Sequence, residues 1–436
     1  MKQSPPSPRT APDSGAALAE WLEHLEAAHP QEIELGLERV AAVGAELGVL
    51  EPGARVITVG GTNGKGTVAR TLEALLGASG LSAGLYTSPH LTRFEERIRL
   101  RGREVAAEPL VAAFERVEAA RRRCGVSLTY FEHTTLAAFD LFAREGVAVW
   151  VLEVGLGGRL DAVNTVDPDV AVVTRVALDH CDLLGSTLDA VAREKAGIFR
   201  GGRPAVIGQE EAPQALLEGA YAVDAQPCVA GRDFRIGVDG QRCWSVQVGD
   251  RCWGPFDAPS IPGRAALMNA ATAVVALDRL PGYELSTAAL AEGLRDAHIP
   301  GRLQRFECAG LEWLLDVAHN ADGATELATV LDEGRGSGRC HAIVGVAQRK
   351  DAEAILAALI GRVDEWYAPA ALAGDMRSGR GLAALIRGAG GAVAHSEADM
   401  AATLREVKER ASAGDRVVVF GSFRVVAAVL AEQGWG

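Results

Sequence analysis

Lysine is the scarcest charged residue in this chain. Of 44 Lys plus Arg residues, only five are lysine, at positions 2, 65, 195, 350 and 408. Arginine therefore supplies nearly all of the positive charge. Where a lysine persists in such a sequence, a compact ammonium or a primary amine is favoured, because the planar guanidinium of arginine differs from it in shape and chemistry.

The sequence also lacks the marks of secreted, zinc-binding and membrane-spanning proteins. Its seven cysteines include no Cys-x-x-Cys pair, which disfavours a disulfide framework and a zinc site. No run of about 20 apolar residues is present, and the Pro/Ser-rich start has no signal-peptide core. The net charge of −13 disfavours a nucleic-acid face. We therefore expect a cytoplasmic protein with no nucleic-acid or membrane partner.

What is present is a regular alternation of apolar runs and helical stretches, which is typical of α/β proteins with parallel sheets covered on both faces. The length of 436 residues allows two or three domains. The predicted strands are Val56–Val59, Ser82–Tyr86, Val147–Val154, Val170–Thr174 and Pro204–Ile207, followed later by Trp313–Val317, Ala342–Val346, Trp366–Ala368 and Arg416–Phe420.

Between the two series, residues 226–260 alternate polar and apolar positions and predict a small antiparallel subdomain. The Pro-Gly pair in Ile299-Pro300-Gly301 interrupts regular secondary structure and predicts a domain boundary near residue 298. We thus predict a disordered tail over 1–14, an N-terminal α/β domain over 15–298 and a Rossmann-like α/β domain over 299–436, with a cleft between the two domains.

The strongest local signal is the segment Gly61-Thr62-Asn63-Gly64-Lys65-Gly66-Thr67, which lies between a predicted strand and a predicted helix. In that context backbone N–H groups and the helix N-terminus cradle phosphate, and a lysine adds a point charge. The segment departs from the strict phosphate-loop pattern because Gly66 separates Lys65 from Thr67. We nevertheless predict that the domain over 15–298 binds a nucleoside triphosphate, at a site in the cleft between the two domains.

Acidic and imidazole side chains follow other predicted strands. Glu153 ends an apolar run before a Gly-rich turn, and His180 follows the next strand. Ligands of open α/β sheets bind at the carboxyl ends of strands, and Mg²⁺ prefers carboxylate and phosphate oxygens, so Glu153 is a candidate Mg²⁺ ligand. Taken alone, Lys195 in a helical stretch is more simply explained as a solvated surface charge.

Together these segments resemble folylpolyglutamate synthase and dihydrofolate synthase, which are relatives of the Mur ligases. The resemblance covers nearly the whole chain, from about Leu35 to Val426, in family order. It is carried by GTNGKGT and the motifs SPHL (from Ser88), FEER (from Phe94), EVGLGGRLDAVN (from Glu153), LDH (from Leu178), REKAGIF (from Arg193), PGRLQ (from Pro300) and DVAHN (from Asp316).

The resemblance implies ATP-dependent ligation of L-glutamate to dihydropteroate and to the glutamate tail of tetrahydrofolates. A substrate carboxylate would attack the γ-phosphate, and the glutamate amine would then attack the acyl phosphate. ATP and Mg²⁺ at two sites are the implied cofactors, with K⁺ as a further candidate. A monomer acting on small molecules is expected.

The resemblance also implies the following residue roles. Lys65, Lys195 and His180 are catalytic, and Lys195 is carbamylated. The ATP-binding set is Gly61, Thr62, Asn63, Gly64, Lys65, Gly66, Thr67, Asn269, Arg302, Asp316 and His319. The metal ligands are Ser88, Glu153, His180 and carbamylated Lys195, and the pterin set is Thr129, Phe131, Asp161 and Ala162.

Some points stay open at this level. The segment from Val346 to Asp351 departs from the family pattern, so its role is unassigned, and no general base is evident. A monofunctional folylpolyglutamate synthase remains an alternative. So does another Mur-type ligase, although the segment before the phosphate loop is short for the extra domain that binds a UDP-sugar. A P-loop GTPase is disfavoured because no Asn-Lys-x-Asp signature occurs.

Overall fold

The structure, a computed structural model, describes residues 12, 15–29, 31, 33–239, 243–259, 261–334 and 338–435. The tail predicted for residues 1–14 lies outside these residues except for Pro12. The described chain forms two α/β units joined around a cleft, and the predicted α/β class is confirmed.

An eight-stranded sheet forms the N-terminal unit, with the order β4-β3-β2-β5-β1-β6-β7-β8. Strands β2, β5, β1, β6, β7 and β8 run parallel, and β3 and β4 add an antiparallel edge that the sequence analysis missed. The strands are β1 (Arg55–Gly60), β2 (Ala83–Tyr86), β3 (Ile98–Leu100), β4 (Arg103–Glu104), β5 (Val149–Glu153), β6 (Val170–Val173), β7 (Pro204–Ile207) and β8 (Gln226–Val229).

Helices cover both faces of this sheet, which explains why its central strands are almost wholly apolar and buried. One layer includes α2, α4 and α5, and the other is built on α3, α9 and α10. The helices are α1 (Leu18–Ala27), α2 (Glu38–Leu47), α3 (Lys65–Ala78), α4 (Ala107–Cys124), α5 (Tyr130–Glu145), α6 (Cys181–Leu184), α7 (Leu188–Ala196), α8 (Gln214–Ala222), α9 (Arg264–Asp278) and α10 (Thr287–Asp296).

The antiparallel subdomain is smaller than predicted. Residues 226–229 form β8, which pairs in parallel with β7 and extends the large sheet. Proline and cysteine in a short run gave no alternation by which to assign this strand, so its pairing was decided by tertiary structure. The antiparallel sheet itself comprises β9 (Phe234–Val238), β10 (Cys243–Val248) and β11 (Arg251–Asp257).

A six-stranded sheet forms the C-terminal unit, in the order β12-β13-β17-β14-β15-β16, with β12 antiparallel to β13 and the rest parallel. The strands are β12 (Gln304–Cys308), β13 (Leu311–Leu315), β14 (Cys340–Val344), β15 (Glu365–Ala368), β16 (Val393–Ser396) and β17 (Arg416–Phe420). The helices are α11 (Ala321–Glu333), α12 (Ala352–Ala357), α13 (Gly379–Gly388), α14 (Met400–Arg410) and α15 (Phe423–Gln433).

None of the seven cysteines, all of which lie in the described ranges, forms a disulfide. Within the described ranges, every helix is too short or too polar to traverse a bilayer. The domain boundary near residue 298 falls between the end of α10 and the start of β12 and stays a prediction.

Candidate active site

The phosphate loop connects β1 to α3 at the carboxyl edge of the large sheet. Lys65 is the first residue of α3, and its Nζ donates to the carbonyl oxygens of Gly61, at 3.1 Å, and Thr62, at 3.0 Å. Burial lowers the pKa of Lys65, although Glu153 and Asp179 oppose that effect. The lysine is therefore folded over the loop, with its charge beside the N-terminus of a helix that attracts anions.

Two glycines of the loop occupy positions that exclude a side chain. Gly61 has φ of 140°, and a Cβ there would lie 2.0 Å from Oγ1 of Thr174. Gly64 has φ of 88°, and a Cβ there would lie 2.5 Å from Oδ1 of Asn269 in α9. Helix α9 thus packs directly on the loop, which brings the predicted nucleotide contact Asn269 against Gly64.

Glu153 is buried next to the start of α3. Strands β1 and β5 pair Val59 with Glu153, so the carboxylate comes from the strand end adjacent to the loop. Its Oε2 accepts from the backbone N–H of Ser88 at 3.0 Å, and burial raises its pKa. Ser88 and Glu153, predicted together as metal ligands, are therefore neighbours.

Lys195 is buried, with 3% of its surface exposed, which makes the interpretation of a solvated surface charge wrong. It lies at the end of α7, and its Nζ donates to the carbonyl oxygen of Gly61 at 2.8 Å. Burial and the neighbouring charge of Lys65 lower its pKa to about 7. The helical spacing alone gave no indication of this burial, because the covering groups come from the phosphate loop.

His180 and Asp179 face the C-terminal unit. Oδ2 of Asp179 lies 3.3 Å from Nε2 of His319 and accepts from Nδ2 of Asn320 at 3.2 Å. Burial acts to raise the pKa of Asp179, but the hydrogen bond from His319 and the charge of Lys350 outweigh it and hold the pKa well below its usual range. Burial, together with Lys350, lowers the pKa of His180 to about 4.

Lys350 is a site residue whose role was not evident from the sequence. Its Nζ donates to Oδ1 of Asp179 and lies 3.3 Å from Nε2 of His180. Lys65 and Lys195 line the cleft, and Lys350 contacts two residues of its lining, Asp179 and His180. The scarcity of lysine in the composition was the signal that could have identified Lys350.

Arg302, Asp316 and His319 reach the cleft from the C-terminal unit. Oxygens of Asp316 accept from the backbone N–H groups of Leu303, at 2.8 Å, and Ala318, at 2.7 Å. Arg302 lies over the ring of Phe423, and its buried Nη1 has no hydrogen-bond partner. An unpaired guanidinium nitrogen in a cleft is suited to a phosphate oxygen, because buried donors are normally satisfied.

The cleft between the two units has a volume of about 820 Å³. All of the predicted nucleotide and metal residues line it; in chain order they are Gly61, Thr62, Asn63, Gly64, Lys65, Gly66, Thr67, Ser88, Glu153, His180, Lys195, Asn269, Arg302, Asp316 and His319. The structure therefore brings these residues together from both units.

The predicted pterin residues lie just beyond the cleft lining. Oxygens of Asp161 accept from the backbone N–H groups of Leu156, at 2.8 Å, and Val163, at 3.1 Å. Burial raises the pKa of Asp161 to about 6. A Cβ at Gly155 would touch the Phe131 ring, while Gly155 and Leu156 do line the cleft. Phe131 and Asp161 thus contact the Gly155–Leu156 turn. Thr129 caps α5, and Ala162 is buried directly after Asp161.

No three His, Cys, Asp or Glu side chains of the described residues converge closely enough to hold a metal ion by themselves. This fits a Mg²⁺ site in which phosphate oxygens and water complete the coordination, since Mg²⁺ is usually bound by one or two carboxylates plus substrate phosphates. Glu153, a buried carboxylate beside Ser88 and the phosphate loop, is suited to such a site.

Comparison with known proteins agrees with this architecture. Residues 59–220 match the Mur ligase middle domain, and residues 301–423 match the glutamate ligase domain of Mur ligases. The dihydrofolate synthase/folylpolyglutamate synthase of Escherichia coli (strain K12) is 41% identical over 435 residues, 97% of each chain.

Solved structures extend the likeness to the fold. E. coli FolC in complex with DHPP and ADP has a TM-score of 0.92 at 39% identity and covers 97% of this chain and 99% of that one. A bifunctional folylpolyglutamate synthase/dihydrofolate synthase with Mn, AMPPNP and L-glutamate bound has a TM-score of 0.89 at 40% identity, covering 98% and 100% of the two chains.

The phosphate-loop unit and the second α/β unit match the middle and glutamate ligase domains of Mur ligases, so this chain is an ATP-dependent ligase of the Mur type. Within that class, the chain belongs to the dihydrofolate synthase/folylpolyglutamate synthase family. ATP and a divalent metal ion are the cofactors of this family.

Proposed function

We propose that this enzyme joins L-glutamate through an amide bond to two acceptors, dihydropteroate and the glutamate tail of tetrahydrofolates. The observation that carries the proposal is the convergence of Lys65, Glu153 and Lys195 at the phosphate end of a cleft whose other wall is the C-terminal unit. Such a cleft can hold ATP, a carboxylate acceptor and an amine together.

In the first step, the acceptor carboxylate attacks the γ-phosphate of ATP, giving an acyl phosphate and ADP. Lys65 and the N-terminus of α3 hold the phosphates and stabilise the charge that spreads over the transferring group. Arg302 donates its free Nη1 to the phosphates from the opposite wall. In the second step the glutamate amine attacks the acyl carbon and phosphate leaves.

The metal roles follow the same geometry. Mg²⁺, when bound, neutralises phosphate charge and orients the reacting oxygens. Ser88 and Glu153 would hold one ion, and His180 with carbamylated Lys195 would hold a second. K⁺ remains a further candidate cation.

The nucleotide and acceptor occupy different ends of the cleft. Gly61 to Thr67 and Asn269 bind the nucleotide from one side, with Asp316 and His319 opposite. The pterin ring lies against the Gly155–Leu156 turn, which Phe131 and Asp161 contact. Thr129 and Ala162, which precede Phe131 and follow Asp161 in the chain, complete the proposed pterin set. We further propose that the enzyme is cytoplasmic, in keeping with seven cysteines that form no disulfide. We also propose that it is a monomer and that its domains divide near residue 298.

The test is an assay of purified enzyme with dihydropteroate or tetrahydrofolate, each with ATP, Mg²⁺ and glutamate. We expect ADP release that requires both acceptor and glutamate, with a new amide product from each acceptor. Activity with tetrahydrofolate alone would establish the monofunctional alternative. ADP release that depends on neither acceptor would contradict a folate ligase, and turnover of a UDP-sugar peptide would indicate another Mur-type ligase.

A further inference from the structure

A bidentate ion pair crosses the cleft at the phosphate loop. Arg175 follows β6 in the N-terminal unit, and Asp322 lies in the first turn of α11 in the C-terminal unit. Nε of Arg175 lies 2.8 and 2.9 Å from the two carboxylate oxygens, and Nη2 lies 2.6 Å from Oδ1. Neither residue is among the nucleotide, metal or pterin residues named above.

The same carboxylate also holds the phosphate loop. Oδ2 of Asp322 accepts from Nδ2 of Asn63 at 2.7 Å. Asn63 in turn exchanges hydrogen bonds with Asn320, which caps α11: Nδ2 of Asn63 donates to Oδ1 of Asn320 at 3.1 Å, and Nδ2 of Asn320 donates to Oδ1 of Asn63 at 2.9 Å. The N-terminal end of α11 is therefore fastened to one residue of the loop.

Arg175 holds the loop through its backbone as well. Its carbonyl oxygen accepts from the N–H of Thr62 at 2.5 Å, and its backbone forms an isolated bridge with Asn63. Arg175 thus links the loop backbone to Asp322 by a single side chain. A movement of the C-terminal unit away from the cleft would have to break the ion pair and release the Asn63 side chain in the same motion.

We propose that Arg175 and Asp322 form an interdomain latch that positions Asn63, so that nucleotide affinity depends on docking of the C-terminal unit. Both are positioning residues, since they act on the nucleotide through the loop. The proposal rests on the proposed function only in taking the nucleotide to be ATP or ADP. By reciprocity of linkage, nucleotide binding would strengthen domain closure by the same factor.

The test is a double-mutant cycle with Arg175→Ala, Asp322→Ala and the double variant, in which the affinity for ADP is measured by calorimetry and KM for ATP by ligation. We expect each single variant to bind ADP roughly 5-fold or more weakly than the wild type. The kcat at saturating ATP should change less. The double variant should be no weaker than the single variants, because both substitutions open the same latch.

A matched control is available in the same unit. Arg362 and Asp332 form another bidentate pair, with Nε of Arg362 2.9 Å from each oxygen of Asp332. Asp332→Ala should leave the ADP affinity unchanged. If Asp332→Ala lowers the affinity for ADP as much as Asp322→Ala does, the effect is a general loss of stability and the latch is refuted.

Three other results would overturn the proposal. Additive losses of ADP affinity would show that the two residues act independently. A loss of ADP affinity in Arg175→Ala far larger than in Asp322→Ala would make Arg175 a direct phosphate ligand. Unchanged ADP affinity in Asp322→Ala would show that docking of the C-terminal unit does not affect nucleotide binding by the phosphate loop. Calorimetry with ADP needs no folate or glutamate, so failure of the folate ligase assay and failure of the latch are separate outcomes.

Discussion

The side-chain amine of Lys195 donates to the carbonyl oxygen of Gly61 at 2.8 Å, and Lys65 donates to the same oxygen at 3.1 Å. Two buried lysine amines thus donate to the same backbone carbonyl oxygen. Burial and the charge of Lys65 lower the pKa of Lys195 to about 7, so near neutrality a large share of Lys195 is the free amine. Only the free amine can take up CO₂.

We predict that Lys195 is carbamylated and that Lys195→Arg is as damaging as Lys195→Ala. Arginine keeps the charge but forms no carbamate, so the oxygen ligand for Mg²⁺ would be lost in both variants. ¹³CO₂ labelling should give a carbamate signal that is absent from both variants. Formate or acetate should partly restore the activity of Lys195→Ala.

Lys408 provides the control for this substitution. It lies on the surface of α14, where its Nζ contacts Gln433, so Lys408→Arg should retain full activity. An active Lys195→Arg enzyme, or a carbamate signal that survives in Lys195→Ala, would show that Lys195 acts as an ordinary cation.

Lys65→Ala and Glu153→Ala should each lower kcat by roughly 10²-fold or more, because both remove contacts that strengthen as charge develops in phosphoryl transfer. The fold should persist, as judged by circular dichroism. Steady-state kinetics at saturating Mg²⁺ and ATP measure the effect, with Lys408→Ala as the matched control. Near-normal turnover in either variant would remove that residue from the catalytic site.

Asp161→Ala should reduce kcat/KM for dihydropteroate more than for tetrahydrofolate. The carboxylate accepts from the N–H groups of Leu156 and Val163, and the turn at Gly155 packs against Phe131, so its loss should disturb the pterin support. Unfolding should also become easier by about 1–3 kcal/mol, because buried donors lose their acceptor. Equal losses for both substrates would mean that Asp161 acts on the turn alone.

His133 should make folding sensitive to acid. It is 2% exposed on α5, and burial lowers its pKa from 6.5 to about 4. Between pH 6.5 and about pH 4, His133 is protonated in the unfolded chain but neutral in the folded chain. The folded state is therefore at its full stability above pH 6.5 and loses stability as the pH falls through this window.

The expected loss from His133 is about 3 kcal/mol over that window, at about 1.4 kcal/mol per pKa unit. Urea unfolding at pH 7.5 and pH 4.5, compared between the wild-type enzyme and His133→Phe, measures it. The variant should lose less stability than the wild type on acidification. A parallel loss in both proteins would assign the acid sensitivity to other groups.

Much of the fold was predictable because its signals are local. The strands beside the phosphate loop are continuous apolar runs, and the structure places β1, β6 and β7 within a residue or so of the predicted bounds. The strands β3, β4, β12 and β16, which lie at the sheet edges, were missed. They are short or alternate weakly, and pairing to a neighbouring strand, which is a tertiary contact, decides whether such segments become strands.

The sequence alone determined the nucleotide chemistry, because loop, strand and helix are contiguous and the glycines that permit the loop are encoded in one segment. Tertiary structure decided which distant groups complete the site. The burial of Lys195 depends on how α7 packs against the phosphate loop. The contact of Lys350 with Asp179 and the pairing of Arg175 with Asp322 depend on how the two sheets face each other across the cleft. Side-chain spacing along a helix carries no information about a partner more than a hundred residues away.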